Sequence, residues 1–284
     1  MNLVIAMVVG FLAGRFVVMS GRDLLSVPAL LRTNYRGHRL PTAGGLLCVF
    51  AVLLVEGLRT LIAALGVGHD HEAVRLPVLL GLVGFALLGL VDDLSVNERA
   101  HGFAGHLGAL RAGRLTTGAV KLLGGGALAL VVAASLHRSS GWRLLVDALV
   151  IALAANLANL LDLVPGRTVK FGLVAWVPIA AIALFAGAGS TPRLVGATAA
   201  VVVGAFGGLL FDDLREHLML GDTGANALGA VLGTAWVAAT SPTARVVAAV
   251  VLVAGNVLSE FMSFSRIIDR IGPLRRFDRA GSLR

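Results

Sequence analysis

Two adjacent carboxylates end one of the most apolar segments of the chain. Leu76–Val91 contains no charged residue, and Asp92 and Asp93 follow it directly. About sixteen residues at a rise of ~1.5 Å nearly cross the ~30 Å hydrocarbon core of a bilayer, which predicts this pair at the membrane surface. Like charges at that separation repel unless a cation holds them together. The alternative is a stop signal, because acidic residues often end an apolar helix at the lipid headgroups.

A second set of polar side chains ends another apolar segment. Asn156, Asn159 and Asp162 follow a three-residue spacing, which places them along one face of a helix. Asparagines inside a helix bundle also form hydrogen bonds between helices, and for Asn156 alone that interpretation is favoured. For the run as a whole, the carboxylate of Asp162 indicates a binding site.

A third polar segment leads into an aspartate flanked by glycines. Asp222 lies in the turn Gly221–Gly224, which opens an apolar segment; the polar residues before it are Asp212, Asp213, Arg215, Glu216 and His217. The free N–H groups of a helix N-terminus can bind an anion, and the carboxylate can bind a metal ion. The alternative is an ordinary helix start, with Asp222 or Thr223 as the N-cap.

Basic residues fall near the same predicted boundary. Lys121 lies about one turn inside a predicted span, where its ammonium either extends to the headgroups or pairs with a phosphate. Together with Arg111, Arg114 and Lys170, the carboxylates suggest Mg²⁺ and phosphate groups. A zinc site is not expected, because the single cysteine lies in an apolar run and the histidines are not spaced as ligands.

Membrane helices are the elements that must position these residues. The chain is 57% hydrophobic and 14% charged, with 36 glycines in 284 residues, whereas soluble domains carry roughly a quarter charged residues. This composition predicts an all-α polytopic membrane protein, one membrane domain over residues 1–284, packed through small residues. No aqueous domain large enough to bind nucleic acid is expected, and one cysteine excludes an internal disulfide.

The distribution of arginine and lysine predicts the topology. By the positive-inside rule, the segments 20–42, 93–116, 162–170, 212–222 and the tail 266–284 are cytoplasmic. This gives about nine spans, an N-terminus outside, a C-terminus inside and a cleft that faces the cytoplasm. A short amphipathic helix is predicted on the membrane surface within 93–116, from the spacing of Phe103, Leu107 and Leu110. The predicted spans are Leu3–Met19, Ala43–Leu65, Leu76–Val91, Thr117–Leu136, Trp142–Leu161, Phe171–Ala188, Leu194–Phe211, Thr223–Thr240 and Val246–Phe264.

In their order, these segments resemble the polyprenyl-phosphate N-acetylhexosamine-1-phosphate transferase superfamily, glycosyltransferase family 4. The resemblance covers nearly the whole chain. Its matching motifs are Arg36-Gly37-His38, Gly89-Leu90-Val91-Asp92-Asp93, Lys121-Leu122-Leu123-Gly124, Asn156-x-x-Asn159-Leu160-x-Asp162 and Met219-Leu220-Gly221-Asp222-Thr223-Gly224. Each motif is weak alone, and their combination and order are specific.

The chain also departs from the family pattern. Where the family has Asp-Gly-x-Asp-Gly, this chain has Asp162-Leu163-Val164-Pro165-Gly166, so the second acid is lost. Asp212 stands where family members usually carry asparagine, and no histidine follows His217, although the family has a histidine motif near its C-terminus. The nucleotide and pyrophosphate contacts are the ones that these departures affect.

The resemblance implies transfer of a sugar-1-phosphate from a nucleotide-sugar, of the UDP-N-acetylhexosamine type, to polyprenyl phosphate at the cytoplasmic face of a bacterial plasma membrane. It implies Mg²⁺, with Mn²⁺ as a substitute, and a homodimer is expected. Asp92, Asp93 and Asp162 are the predicted catalytic residues, and Asp222 and Asp93 the predicted metal ligands. The predicted substrate contacts are His38, Arg114, Lys121, Asn156, Asn159, Lys170 and Asp212.

Two other functions stay open on the sequence. A relative that binds polyprenyl phosphate as a scaffold in envelope assembly, without catalysis, is favoured by Pro165 and by the missing histidines. A transporter is suggested by buried charged residues such as Glu56, Arg59, Lys121 and Glu260. Transporters place such charges near the midplane and often have internal repeats, whereas here most acids lie at one face and no repeat is evident.

Overall fold

A bundle of long helices forms the protein in this computed structural model, which describes residues 2–67, 71–95, 117–136 and 141–283. Within these ranges eight helices are long and apolar enough to cross a membrane, which confirms the all-α polytopic membrane fold. The helices are α1 (Leu3–Gly21), α2 (Gly45–Ala64), α3 (Glu72–Leu94), α4 (Thr117–Leu136), α5 (Trp142–Leu161), α6 (Arg167–Phe185), α7 (Thr191–Leu214), α8 (Gly221–Ala239), α9 (Pro242–Phe261), α10 (Phe264–Arg270) and α11 (Gly272–Arg279).

Helix α8 lies at the centre of the bundle and is not one of those eight. Nearly all of its side chains are buried, because α2, α3, α5, α6 and α7 pack against it. Glycines let those backbones approach: Gly224 lies against Gly45 of α2, and Gly229 against Ala155 of α5, with no room for a Cβ at either α8 position. Since Asp222 is in the first turn of α8, this packing fixes its position.

Helices α1 and α7 form the second close contact of the fold. The contact positions are glycines at which a Cβ would overlap the backbone of the opposite helix. In lipid there is no hydrophobic force between helices, so close van der Waals packing of small residues supplies much of the association. The glycines are Gly10 and Gly14 of α1, and Gly204 and Gly208 of α7.

A two-stranded hairpin between α1 and α2 is the one sheet in the described part of the chain, and the sequence did not predict it. Strand β1 (Leu31–Thr33) pairs antiparallel with β2 (Arg39–Pro41), with Arg32 opposite Leu40. The chain then continues alongside the segment before α8: Met219 N donates to Pro41 O (2.8 Å), and Gly45 N donates to Leu220 O (3.0 Å). The hairpin is therefore fixed to the turn that carries Asp222.

Several predicted helix boundaries were wrong, because the helices continue past their apolar runs into polar residues that have partners. Helix α6 begins at Arg167 rather than at Phe171, so Lys170 lies in a helix and not in the predicted 162–170 loop. Helix α7 extends to Leu214, which places Asp212 in its last turn rather than in a 212–222 loop. The predicted surface helix in segment 93–116 lies outside the described residues.

Ion pairs hold the helices together at the end opposite Asp222. Arg75 Nε of α3 lies 2.7 Å from Glu56 Oε2 of α2, and both side chains are buried. Arg245 of α9 lies 3.1 Å from Asp147 of α5. The charged residues Glu56 and Arg75 thus pair with each other between two helices, which accounts for their burial without a transport pathway.

Candidate active site

Three helix ends and one helix side meet around the ammonium of Lys121. Lys121 Nζ, from α4, donates to Asp222 Oδ2 at 2.6 Å and to Asp92 Oδ2 at 3.0 Å. Asp92 is in the last turn of α3 and Asp222 in the first turn of α8. Two carboxylates that are 130 residues apart in sequence thus share one cation, as the predicted cluster requires.

Asn159 of α5 completes this cluster. With its amide oriented by its hydrogen-bond partners, Asn159 donates to Asp222 Oδ1 at 2.8 Å and accepts from Lys121 Nζ at 3.0 Å. The structure therefore brings together Asp92, Lys121, Asn159 and Asp222, all of which the sequence placed in the site. The Asp92 and Asp222 side chains are 31% and 29% exposed, so the cluster opens to a ligand.

Asp93, the neighbour of Asp92, has a different environment. Its Oδ1 accepts from Thr42 Oγ1 (3.1 Å) and Asp222 N (3.2 Å), and its Oδ2 accepts from Thr223 Oγ1 (2.6 Å) and Thr223 N (2.9 Å). Four donors occupy about the full acceptor capacity of a carboxylate. Asp93 thus caps α8 and positions Asp222; its catalytic and metal-binding roles stay predictions.

Asp162 lies next to this cluster, at the end of α5. Its Oδ1 accepts from Thr168 Oγ1 at 3.1 Å. Burial, followed by the nearby carboxylate of Asp213, raises the pKa of Asp162 well above the ordinary value of an aspartate. The protonated form, which can donate a hydrogen bond, is therefore favoured at Asp162 more than at an exposed aspartate.

A cavity of about 200 Å³ adjoins Asp162. Its walls come from the hairpin, the loop after α5 and the loop between α7 and α8, and Asp162, Asp213 and Glu216 are its acidic lining residues. Asp213 accepts from Gly166 N at 2.8 Å and so fixes the loop that holds Pro165. This cavity is large enough for part of a ligand whose phosphates lie at the Lys121 cluster.

Glu216 attaches the hairpin to this cavity. It accepts from Asn34 Nδ2 (2.8 Å), Tyr35 OH (3.2 Å) and Arg36 Nη1 (3.2 Å), and His38 Nδ1 lies 3.5 Å away. Burial acts to raise the pKa of Glu216, but these hydrogen bonds outweigh it and lower the pKa below its ordinary value. His38, a predicted substrate contact, thus lies on the hairpin beside a carboxylate.

The remaining predicted substrate contacts lie elsewhere or have protein partners. Asn156 donates to Asn256 Oδ1 of α9 at 2.7 Å, the helix-to-helix bond that was its alternative interpretation. Lys170 is buried, and its Nζ donates to the backbone oxygen of Asp278 at 2.7 Å. Asp212 pairs with Arg15 of α1. Arg114 lies outside the described residues. The substrate-binding roles of these residues stay predictions.

Oxygen ligands for a divalent cation are available at the cluster. Asp92 and Asp222 present carboxylate oxygens to a partly open face, and Asn159 adds an amide. In the part of the chain that the structure describes, no group of three or more histidines, cysteines and acids is arranged to hold a metal. Mg²⁺ commonly needs only one or two carboxylates, with water and substrate phosphates completing its octahedron. The donor set fits that mode.

Three contributors to the site were missed by sequence reasoning. Thr42 and Thr223 donate to Asp93, and Asp213 fixes the loop after α5. Thr223 was recognisable, since it follows Asp222 in the glycine-flanked turn. For Asp213 the sequence offered no means of choosing it over Asp212, because both are acids at the end of one apolar run.

Comparison with known proteins agrees with this arrangement. Residues 76–240 match the family model described as Glycosyl transferase family 4. That range contains Asp92, Lys121, Asn159 and Asp222.

Several bacterial proteins are similar to this chain over most of its length. A phospho-N-acetylmuramoyl-pentapeptide-transferase of Heliobacterium modesticaldum is 30% identical over 250 residues, which cover 81% of this chain and 72% of that protein. The protein of the same name in Moorella thermoacetica is 29% identical over 245 residues, with the same two shares. The one in Deinococcus radiodurans is 28% identical over 274 residues, or 89% of this chain and 83% of that protein.

Proposed function

The chain belongs to glycosyl transferase family 4, and we propose that it transfers a sugar-1-phosphate from a nucleotide-diphosphate sugar to polyprenyl phosphate. The reaction takes place at the cytoplasmic face of a bacterial plasma membrane, in the synthesis of lipid intermediates for cell-wall or surface glycans. The donor is of the UDP-N-acetylhexosamine type. The N-terminus lies outside, the C-terminus lies in the cytoplasm, and the active form is a homodimer.

The observation that carries this proposal is the cluster around Lys121. Two partly exposed carboxylates and an amide surround an ammonium at one end of a membrane bundle. Next to Lys121, Leu122 and Leu123 are 55% and 51% exposed. A lipid can therefore place its chain along an apolar surface while its phosphate reaches charged groups, which is what transfer to a polyprenyl phosphate demands.

Each residue of the cluster has a role in the proposed reaction. Asp92 and Asp222 would hold Mg²⁺, or Mn²⁺ in its place; when bound, the ion neutralises charge on the phosphates. Lys121 binds a phosphate oxygen. Asn159 and Asp162 contact the donor, and Asp93 keeps Asp222 in place through the first turn of α8.

The chemistry is a displacement at phosphorus. An oxygen of the acceptor phosphate forms a bond to the phosphorus that carries the sugar, and the bond from that phosphorus to the bridging oxygen breaks. The electron pair leaves with the nucleoside monophosphate, and a lipid-linked pyrophosphoryl sugar is the other product. Positioning and electrostatic stabilisation supply most of the rate enhancement in such reactions.

One observation favours a second function, a scaffold that binds polyprenyl phosphate without catalysis. Pro165 stands in the cavity wall where the family signature carries a second acid. The loss of this acid would weaken binding of the donor more than binding of the acceptor, because the cavity adjoins Asp162 rather than the exposed leucines beside Lys121. Such a protein would keep the Lys121 cluster for the acceptor phosphate alone.

The test is a transfer assay on the purified chain with Mg²⁺, polyprenyl phosphate and a panel of UDP- and CDP-activated sugars. We expect release of a nucleoside monophosphate, with Asp222→Asn lowering the rate by about a hundredfold or more. Asp23→Asn is the matched control, because Asp23 is an exposed aspartate two residues after α1, outside the cluster.

Two outcomes contradict the proposal. Equal rates for Asp222→Asn and the unchanged chain would remove the reaction from the Lys121 cluster. No turnover with any sugar, together with polyprenyl phosphate binding that Asp92→Asn abolishes, would establish the scaffold function instead.

A further inference from the structure

A second polar cavity lies at the same end of the bundle, between α1 and α7. It measures about 230 Å³ and is lined by Arg15, Met19, Arg22, Phe211, Asp212, Arg215 and His217. Among these, only Asp212 was a predicted substrate contact, and none lies in the Lys121 cluster. The transfer reaction described above makes no use of this cavity.

The cavity has an excess of positive charge. Arg15, Arg22 and Arg215 surround the single carboxylate of Asp212, so the lining carries a formal charge of about +2 with His217 neutral. Arg15 forms an ion pair with Asp212, and its guanidinium lies 5.7 Å from the centre of the Phe211 ring. A buried carboxylate thus holds Arg15 in place, and this one carboxylate cannot neutralise all three arginines of the lining.

Arg22 and Arg215 are available to an added anion. Arg22 Nη1 lies 3.7 Å from Asp212 and its Nε 3.9 Å from the exposed Asp23, which are long distances for an ion pair. Arg215 is exposed and makes no ion pair with any residue in the described ranges. These two guanidinium groups can bind an anion without breaking the Arg15–Asp212 pair.

An apolar surface leads directly to the cavity. Val8, Leu12, Phe16 and Met19 follow one face of α1 and are 49%, 60%, 69% and 58% exposed. This row, with its spacing of about four residues, continues along the helix to Met19 in the cavity wall. In a bilayer it faces acyl chains, and the arginines lie where the headgroups of the same leaflet would be.

We propose that this cavity binds the phosphate headgroup of an anionic phospholipid, with the acyl chains along the exposed face of α1. The charge complementarity selects an anion, and the adjoining apolar row selects one that carries a hydrocarbon chain. Basic pockets at the cytoplasmic ends of membrane helices bind anionic headgroups for the same reason. The site is separate from the acceptor site beside Lys121, since it lies on the α1 side of α7.

A lipid bound in this cavity would affect the stability of the end of α7 through Asp212. Its neighbour Asp213 fixes the loop after α5, and Asp212 is followed by the segment that leads to Asp222. His217 Nδ1 lies 3.1 Å from Asp212, so the same carboxylate anchors that segment. A lipid held by Arg22 and Arg215 would therefore stabilise the end of α7 from outside the cleft.

The test measures lipid binding to the purified full chain and needs no transfer activity. Phosphatidylglycerol is titrated in detergent, with bound lipid read by native mass spectrometry and thermal stability in parallel. The test variant is Arg22→Gln/Arg215→Gln, which leaves Arg15 and Asp212 intact. The control is Arg270→Gln/Arg275→Gln, which removes two exposed arginines from α10 and α11.

At about 1 kcal/mol per arginine near an anionic headgroup, we expect phosphatidylglycerol to bind the test variant roughly tenfold to thirtyfold more weakly than the control variant. Phosphatidylcholine should bind both variants equally, because its headgroup has no net charge. Equal phosphatidylglycerol affinity in the test and control variants would overturn the proposal.

Two further arms identify the source of the phosphate. Inorganic phosphate that binds as tightly as phosphatidylglycerol, with the same loss in the test variant, would overturn the lipid assignment in favour of a soluble anion. Polyprenyl phosphate binding that falls in the test variant as much as phosphatidylglycerol binding would overturn the separate site, because the cavity would then take the acceptor.

Discussion

Two pairs of adjacent aspartates lie at the ends of two long helices. The pairs differ in whether one carboxylate stays exposed to a ligand. In each pair one member binds backbone N–H groups: Asp93 holds the start of α8, and Asp213 holds the loop at Gly166. The other members differ. Asp92 shares Lys121 with Asp222 and is 31% exposed, whereas Asp212 is paired with Arg15 and almost fully covered.

The comparison separates two uses of the same dipeptide. Successive residues on a helix point about 100° apart, so one aspartate of a pair can fix the fold while the other faces a ligand. At α3 the ligand-facing carboxylate shares the ammonium of Lys121 with Asp222. At α7 the corresponding carboxylate is already neutralised by an arginine, which leaves the surrounding cavity basic. The first arrangement suits a divalent cation, and the second suits an anion.

The largest effect that tests this comparison is expected within the first pair. Asp92→Asn should lower transfer by about a hundredfold to a thousandfold, since it removes a carboxylate that would hold Mg²⁺ at the reacting phosphates, with little change in the free energy of unfolding. Asp93→Asn should also destabilise the fold, by about 1–3 kcal/mol, because buried donors at the start of α8 lose a charged acceptor. Transfer rates and denaturant unfolding in detergent measure both.

Equal losses in the free energy of unfolding for the two substitutions would contradict the different roles assigned to Asp92 and Asp93. The control is again Asp23→Asn, which changes an exposed aspartate and should leave both measurements unchanged.

A smaller effect is expected within the second pair. Asp213→Asn should raise the donor KM severalfold, because the loop beside Asp162 loses its carboxylate acceptor at Gly166, and it should leave phosphatidylglycerol binding unchanged. Asp212→Asn should do the reverse and strengthen phosphatidylglycerol binding, since it removes the one negative charge of the basic cavity. Steady-state kinetics and lipid titration distinguish the two. A donor KM that rises equally in both variants would show that the pair acts as one unit.

The smallest effect concerns pH. The pKa of Glu216 is lowered in the folded state by its hydrogen bonds with the hairpin. Its contribution to stability is therefore present above the ordinary glutamate pKa of about 4.3 and is lost as the pH falls through the lower folded value. Glu216→Gln should flatten the loss of stability below about pH 4.5, and unfolding midpoints measured between pH 3 and pH 7 check this. An unchanged acid limb in the variant would remove Glu216 from the acid response.

The sequence predicted those parts of the molecule that depend on long or repeated patterns. The composition of the apolar run before Asp92 is enough to predict a membrane helix. The resemblance to a family predicted that Lys121 and Asp222 belong to one site. The end of an apolar run does not locate the end of a helix, which depends on the partners of the polar residues beside it. Arg167 starts α6 early because Asp278 and Ser265 bind its guanidinium. Asp212 and Asp213 are adjacent on one helix and have different partners. No pattern in the sequence shows which of the two contacts the loop after α5.

The pair between Arg167 and Asp278 has a consequence for how the protein is made. Both side chains are buried, with two hydrogen bonds of 2.8 and 3.0 Å between them, and Asp278 follows Arg167 by 111 residues. At a synthesis rate of about 5–20 residues per second, the arginine waits roughly 5–20 s for its partner to be translated. During that interval the guanidinium of Arg167 lacks this carboxylate partner. Helices α7–α9 are therefore synthesised before the pair between Arg167 and Asp278 can form.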